Sequence, residues 1–390
     1  MIAGATLILY ASHLGPPPLL SVSEEAVVAQ ARSLAASGTD TAGRPLPLFF
    51  QVADEAWVQP QAVYASAALV VVGADGTGAR LASAMTTTLS VVLMYLVGRR
   101  FLKREWLAVT VAALLALTPA LFAFGRTATD APYALPFILI WLLTLMTFLE
   151  RPRMWLIAAA GFALGVGVYA QPAAPITMLL LGGLTIAVLW SADHRRPPAA
   201  VALAAGFAVP LCAMAVWFAV HPDTYNDTMG RWAILKAHIR FPLDGLRASV
   251  NWITLGTRVS FYWGFFDPSW LFFTGPERAG VLRGAAPLLL PMAVLVPLGF
   301  SRVLKSAPPG SAWLLLGGLA IAPLAASTLG EAHNIGQTLT ILPFVVLLAG
   351  HGLARLLDHD APVGARAAAV ILLTLSPVQF GYYWWGRLLG

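Results

Sequence analysis

About eleven long apolar runs dominate this chain of 390 residues. Each run is roughly 13 to 22 residues long, and about 20 apolar residues suffice for a helix to cross the hydrocarbon core of a bilayer. Of all residues, 58% are hydrophobic and 11% charged, against about 45 to 50% and about 25% in a soluble domain. Helices satisfy all their backbone groups inside lipid. The sequence therefore predicts an all-α polytopic membrane protein, a single transmembrane domain over residues 1–390.

The predicted spans run from Ile2 to Leu14, Leu81 to Gly98, Trp106 to Phe124, Pro132 to Leu149, Trp155 to Ala170, Pro175 to Trp190, Ala199 to Val220, Ala285 to Phe300, Ala312 to Leu329, Thr338 to Leu357 and Ala365 to Gly381.

Basic residues concentrate in alternate short links, for example Arg99 to Arg104, Arg151 to Arg153 and Arg302 to Lys305. Short basic links are typical of the cytoplasmic side. Residues 15–80 and 221–284 then form two large segments on the outer side, where most carboxylates lie. Apolar periodicity predicts interfacial helices in both, from Gln61 to Gly73 and through Leu243 to Ile253.

Several function classes are excluded. The net charge of +6 is spread over links between spans, so it reflects topology and not nucleic-acid binding. A single cysteine, Cys212, excludes intrachain disulfides and cysteine-rich metal sites. There is no Gly-rich nucleotide loop and no histidine pair at metal-binding spacing. No cofactor is indicated with certainty, although carboxylates leave a divalent metal possible, with Glu24 and Asp130 as its ligands.

Two adjacent carboxylates, Glu24 and Glu25, follow the first span directly. Carboxylates at a membrane surface are costly to desolvate, so they suggest a proton acceptor or a cation site. The alternative is structural: Ser23 would be the N-cap of a helix, and the two acids would favour its first turn.

A second acid, Asp130, lies at the outer start of a span, four residues after Arg126. The arginine could pair with Asp130 or bind an anionic ligand. Because Pro132 suits the first turn of a helix, Asp130 could instead be an N-cap. Together the two acidic sites and Arg126 predict an active site at the level of the lipid headgroups.

The order of several short motifs resembles the GT-C glycosyltransferases, specifically the bacterial relatives of protein mannosyltransferases and of the enzyme that adds aminoarabinose to lipid A. The motifs span residues 23–26, 31–34, 38–48, 59–64 and 80–84, then 117–136, 266–275, 333–343 and 349–350. The resemblance covers most of the chain, and the order of the motifs is more specific than any one of them.

The resemblance implies transfer of a sugar from a polyprenyl-phosphate carrier to a hydroxyl of a lipid, glycan or protein, on the outer face of a bacterial inner membrane. It implies that Glu24 stands where the family has an aspartate base, that Glu25 is the acid after it, and that Asp130 is the acid of the second outer loop. The implied substrate-binding residues are Arg126, Gln59, Tyr64, Arg258, Arg278, His333 and Gln337.

Two other functions stay open from the sequence. The chain could be a catalytically lapsed GT-C scaffold, a subunit of a larger membrane complex, because Glu24 and Gln337 depart from the usual aspartate and arginine. A transporter is less favoured, since the centres of the spans carry almost no charge.

Overall fold

The structure of the protein, a computed structural model, describes residues 2–12, 14, 20–53, 56–70, 76–191, 197–222, 224, 252–275, 282, 285–329 and 333–389. Within these ranges the chain is almost entirely helical, and one large apolar core runs through the bundle. The predicted all-α polytopic class is confirmed.

The first half contains helices α1 (Ile2–Ala11), α2 (Val22–Ser37), α3 (Pro60–Leu69), α4 (Thr77–Leu102), α5 (Glu105–Ala116), α6 (Pro119–Phe124), α7 (Ala134–Glu150) and α8 (Met154–Gly167). The second half contains α9 (Ala174–Ser191), α10 (Pro197–Val220), α11 (Trp252–Gly264), α12 (Met292–Ser306), α13 (Pro309–Thr328), α14 (Ile335–Thr338), α15 (Leu342–Leu356) and α16 (Val363–Leu389). Short 3₁₀ turns at Ala131–Tyr133 and Leu339–Ile341 lead into α7 and α15, and a π turn covers Trp270–Thr274.

Seven helical segments of the described chain are long and apolar enough to cross a membrane. They are Thr77–Leu102, Ala131–Glu150, Ala174–Ser191, Pro197–Val220, Pro309–Thr328, Ile335–Leu356 and Val363–Gly386. The other four predicted spans correspond to helices of 10, 12, 14 and 15 residues, namely α1, α5, α8 and α12. Helix length therefore supports seven spans, and the predicted count of eleven is not confirmed.

Prolines break two of the predicted spans. The span predicted from Trp106 to Phe124 divides into α5 and α6 at Pro119, because proline cannot continue the hydrogen bonding of the preceding turn. The span predicted from Ala285 begins as a helix only at Met292, after Pro287 and Pro291. Its first residues are instead tied to other segments: the Leu288 N–H donates to the Leu271 carbonyl at 3.0 Å.

The outer segment before α4 contains one predicted element and one unpredicted one. A short helix was expected from Gln61 to Gly73 and forms as α3. Strands β1 (Phe50–Ala53) and β2 (Ala56–Val58) form an antiparallel pair that the sequence did not predict. The helix predicted through Leu243 to Ile253 falls almost wholly outside the described residues.

Glycines let two pairs of helices touch through their backbones. A Cβ on Gly299 of α12 would lie 1.8 Å from the Leu348 carbonyl oxygen of α15, and one on Gly352 would lie 2.0 Å from the Leu295 oxygen. Gly161 of α8 and Gly206 of α10 make the same close approach, at 2.1 Å each. Small residues at such contacts are how membrane helices gain packing without a hydrophobic driving force between them.

Several of the links that sequence predicts on one side meet at one end of the bundle, here called the basic end. Arg100 at the end of α4 pairs with Glu150 at the end of α7, and Arg302 of α12 pairs with Asp358 after α15. Arg99 also lies 3.2 Å from Glu105 across the turn between α4 and α5.

The packing of α12 on α15 gives a direct test. Gly299→Ala should lower the stability of the protein by about 1 to 3 kcal/mol, because the added methyl group forces two backbones apart. Gly182→Ala in α9 is the matched control, since nothing lies within 4 Å of its Cβ position. Thermal denaturation in detergent measures both. Equal midpoints for the two variants would contradict the close approach.

Candidate functional site

Glu24 is fixed first by its own helix. Ser21 is the N-cap of α2 and forms a capping box: the Glu24 N–H donates to the Ser21 hydroxyl oxygen, and the Ser21 N–H donates to Glu24 Oε2 at 3.1 Å. The structure places the N-cap at Ser21 and not at Ser23, and Glu24 and Glu25 lie in the first turn of α2, as the structural alternative expects. A capping box needs the hydroxyl three residues before the acid. Ser21 satisfies this spacing, and its hydroxyl also donates to Glu24 Oε2 at 3.1 Å.

A buried ion pair joins the carboxylate of Glu24 to Arg80. Arg80 Nε lies 2.9 Å from Oε1 and Nη2 lies 3.3 Å from Oε2, so the guanidinium binds both oxygens. The two side chains are only 12% and 5% exposed. Arg80 stands near the start of α4, where the helix dipole disfavours a cation, and the carboxylate offsets that cost.

Glu24 also holds the segment between α6 and α7, which the sequence predicts as the second outer loop. The Ala128 N–H donates to Glu24 Oε1 at 3.1 Å, across 104 residues of sequence. Asp130 follows two residues later, and two residues of chain span at most about 7 Å. The structure therefore brings the first-loop acid to the loop that carries the second acid.

The remaining two predicted acids have more open surroundings. Asp130 is half-buried at the N-cap position of the 3₁₀ turn Ala131–Tyr133, but its side chain makes no capping hydrogen bond there. Glu25 is exposed to solvent beside the buried Glu24. Capping thus explains the position of Glu24 but not the side chain of Asp130.

Burial and hydrogen bonding shift the pKa of Glu24 in opposite directions. Burial raises the pKa, but hydrogen bonds from Arg80, Ser21 and Ala128 together lower it by more, so it lies below its ordinary value of 4.5. The carboxylate is therefore ionised at neutral pH. With five donor contacts on two oxygens, it is also a strongly stabilised anion.

Arg126 lies between the first and last helices. Its Nη1 donates to the carbonyls of Leu9 and Tyr10 at the end of α1, at 3.2 and 3.4 Å. Its guanidinium carbon lies 5.0 Å from the ring centre of Phe122 and 5.1 Å from that of Trp384 in α16. The side chain is half-buried. A cation at a helix C-terminus and over aromatic faces is electrostatically favourable.

Gln337 connects a different pair of segments. Its carbonyl accepts a hydrogen bond from Gln171 at 3.1 Å, and its side-chain oxygen accepts one from the Ala173 N–H at 3.3 Å. Its helix, α14, packs against α6 and the turn Ala131–Tyr133. Gln337 therefore lies near the segment between α6 and α7. Its hydrogen bonds connect α14 to the turn between α8 and α9.

Arg258 and His333 lie around α11. Arg258 is 6% exposed and donates to the Thr328 carbonyl at 3.0 Å. His333 is exposed, has a left-handed backbone with φ of 57°, and its ring centre lies 4.8 Å from that of Trp270. Arg278 lies outside the described residues.

Tyr64 and Gln59, the two predicted substrate-binding residues of the segment before α4, lie close together in the chain. Tyr64 donates to the Pro47 carbonyl at 3.0 Å and packs edge-on against Phe50. Gln59 is buried at the N-cap of α3 without a capping hydrogen bond. Both residues therefore lie beside the β1–β2 pair.

No three histidine, cysteine, aspartate or glutamate side chains converge into a metal-binding group within the described part of the chain. Glu24, one of the two predicted ligands, has both oxygens occupied by protein donors. Arg80 is the site residue that sequence reasoning missed. Its signal was a cation directly before the span predicted from Leu81 to Gly98, because a cation at the N-terminal end of a helix favours a nearby carboxylate.

The stability of the folded chain should depend on pH because of the ion pair between Glu24 and Arg80. A lowered pKa means that the pair stabilises the folded chain above the unfolded value near 4.5, and that this stabilisation is lost as the pH falls through the lowered value. Glu24→Gln should cost about 3 kcal/mol at pH 7. The difference from wild type should shrink in acid. Thermal denaturation from pH 8 down to about pH 3 measures this, with exposed Glu25→Gln as the control that should match wild type.

A sequence model of the family described as dolichyl-phosphate-mannose-protein mannosyltransferase matches residues 47–226. No curated protein sequence matches the chain.

Solved structures match over nearly the whole chain at low identity. ArnT from Cupriavidus metallidurans in the apo state has 15% identity and a TM-score of 0.59, and the match covers 91% of this chain and 59% of that one. The same protein bound to undecaprenyl phosphate has 15% identity and a TM-score of 0.60, covering 100% and 71%. The Archaeoglobus fulgidus oligosaccharyltransferase in complex with Zn and sulfate has 13% identity and a TM-score of 0.52, covering 97% and 53%.

This chain thus spans about three fifths of the length of ArnT in its apo structure. The protein has a GT-C transmembrane fold and is similar to the GT-C superfamily of membrane glycosyltransferases.

Proposed function

We propose that the protein is a glycosyltransferase that moves a sugar from a polyprenyl-phosphate carrier to a hydroxyl group of a lipid, glycan or protein. The family match and the similarity to ArnT, which has been solved bound to undecaprenyl phosphate, support this class. The observation that carries the proposal is the contact of Glu24 with Ala128. It joins the acidic first loop to the loop of Arg126 and Asp130, as a shared reaction centre requires.

The chemistry needs few groups. A phosphate leaving group requires little protonation, so a carboxylate that deprotonates the acceptor hydroxyl and cations that stabilise the developing phosphate charge suffice. Arg126 is the proposed cation on the second loop. Asp130 is the proposed second acid, which positions the acceptor or takes part in the proton transfer.

Glu24 is the proposed base, and its surroundings indicate where the acceptor would bind. To accept a proton, Glu24 must exchange one of its five donors for the acceptor hydroxyl. The Ser21 hydroxyl is the donor most easily exchanged, because Ser21 is exposed and a hydroxyl can rotate away. The Ser21 hydroxyl therefore occupies the position beside Glu24 Oε2 that an acceptor hydroxyl would take.

One observation favours the alternative, a catalytically lapsed scaffold within a membrane complex. The lowered pKa and the five donors make Glu24 a good structural anchor and, in this arrangement, a weak base. A scaffold would keep the Glu24–Arg80 pair for stability alone. The two functions therefore predict different responses when either partner of the pair is changed.

Two variants of the same ion pair separate catalysis from structure. Glu24→Gln and Arg80→Gln both break the pair, but only the first removes the base. Transfer from labelled polyprenyl-phosphate sugars by purified protein should fall by about a hundredfold or more in Glu24→Gln and by much less in Arg80→Gln. In Arg80→Gln the acid limb of the pH–rate profile should move to higher pH, because Glu24 loses the cation that lowers its pKa.

Substitutions of Arg126 and Asp130 test the two other residues proposed to take part in transfer. Arg126→Ala should cost about 2 to 4 kcal/mol of transition-state stabilisation, and Asp130→Asn should also reduce transfer. Glu105→Gln, the same chemical change at the basic end, is the control that should keep wild-type activity. Equal losses in Glu24→Gln and Arg80→Gln would remove Glu24 as the base. Absence of transfer by the wild type with every polyprenyl-phosphate donor tested would favour the scaffold.

We also propose that the Glu24 end faces the outside of a bacterial inner membrane, because the basic links lie at the opposite end. Cysteines placed at the exposed positions Glu25 and His333, in a Cys212→Ser background, should react with an impermeant maleimide in intact cells. A cysteine at Lys305 should react only after permeabilisation. If the cysteine at position 305 reacted in intact cells and those at positions 25 and 333 reacted only after permeabilisation, the topology would be the reverse of the proposed one. That result would contradict an outer-face site.

A further inference from the structure

A cavity at the basic end of the bundle is not used by the proposed reaction. It has a volume of about 480 Å³ and lies between the α4–α5 turn, the end of α7 and the α12–α13 link. Its lining includes Arg100, Lys103, Arg104, Glu150 and Arg302. A second opening of about 770 Å³, beside α5 and α8, shares the first four of these residues.

The lining of the smaller cavity carries a surplus of positive charge. Of its four cations, Arg100 pairs with Glu150 and Arg302 pairs with Asp358. Lys103 and Arg104 form no ion pair with any described residue. Two cations side by side in a cavity repel each other, so an anionic ligand between them would lower the free energy of the site.

Below these cations the wall is apolar. Phe101, Leu107, Met146 and Val303 line the cavity and are at most 9% exposed. Such a wall offers no hydrogen bonds and suits hydrocarbon, whereas the mouth suits phosphate. The cavity thus favours an amphipathic ligand whose negative group is at the mouth.

Exposed tryptophans show how deep the cavity lies. Trp106, Trp155, Trp190 and Trp313 are 42%, 62%, 65% and 57% exposed, and each stands within five residues of a helix terminus at the basic end. Exposed tryptophans concentrate at the headgroup level of a bilayer. The mouth of the cavity is therefore at the depth of lipid phosphates.

We propose that this cavity binds the phosphate group of an anionic phospholipid, with Lys103 and Arg104 as its cationic ligands and the apolar wall against the lipid's hydrocarbon. Basic links alone reflect topology. The cavity, the two cations without an ion pair and the apolar wall are what distinguish this site from the other basic links. The phosphate group is shared by lipid and inorganic phosphate, and the experiment separates them.

Native mass spectrometry of the delipidated full chain in detergent tests the proposal. The protein is titrated with phosphatidylglycerol, with phosphatidylcholine, and with phosphatidylglycerol in the presence of excess inorganic phosphate. The wild type should bind one phosphatidylglycerol at least about tenfold more tightly than phosphatidylcholine, and inorganic phosphate should not displace it. The double variant Lys103→Gln, Arg104→Gln should lose at least about tenfold in this affinity.

The matched control removes two cations from the next link of the same end. Arg151 and Arg153 are exposed and do not line either cavity, so Arg151→Gln, Arg153→Gln should retain the wild-type affinity. Equal losses in both double variants would show a diffuse surface charge and overturn the proposal. Equal binding of the two lipids, or displacement by inorganic phosphate, would overturn it as well. Thermal denaturation shows that each variant is folded.

Discussion

The structure depends on the requirement that backbone polar groups be satisfied within the chain wherever lipid excludes water. Helices meet it between the two ends of the bundle. Close to the Glu24 end the helices break, and the chain then supplies other partners. The Ala120 N–H donates to the Pro287 carbonyl, and Gln171 donates to the carbonyl of Gln337. Irregular backbone at this depth is tolerated because it is buried in protein and hydrogen-bonded there.

The two ends of the molecule therefore differ in construction. At the basic end most links are short, and ion pairs between helix termini lie on the surface or in half-open cavities. At the Glu24 end a buried ion pair and side-chain hydrogen bonds join segments that are far apart in sequence. Each hydrogen bond of this kind helps to hold its groups in position, since the loss of a partner leaves a desolvated polar atom. A reaction that depends on small displacements benefits from this kind of construction.

The sequence predicted the elements that are marked by a long run of apolar residues. It did not predict the elements that consist of only a few residues. Runs of apolar residues predicted where each membrane helix lies, but their ends moved where Pro119 and Pro291 interrupt helical hydrogen bonding. The seven residues of β1 and β2 are too few to show a periodicity. For the site, residue type identified Glu24 and Asp130 as candidates. The partners of Glu24 are Arg80 and a backbone N–H, and no local pattern reveals contacts across 56 and 104 residues.

The neighbours of Arg126 are synthesised at widely separated times. Its neighbours come from α1, α6 and α16, so the carbonyls of Leu9 and Tyr10 precede it and the ring of Trp384 follows it by 258 residues. At about 5 to 20 residues per second, a ribosome needs roughly 13 to 50 s to add that length. During this interval the guanidinium lacks one of its two aromatic neighbours. The surroundings of Arg126 are thus completed only by the last described helix to be synthesised, and a partly made chain cannot assemble them.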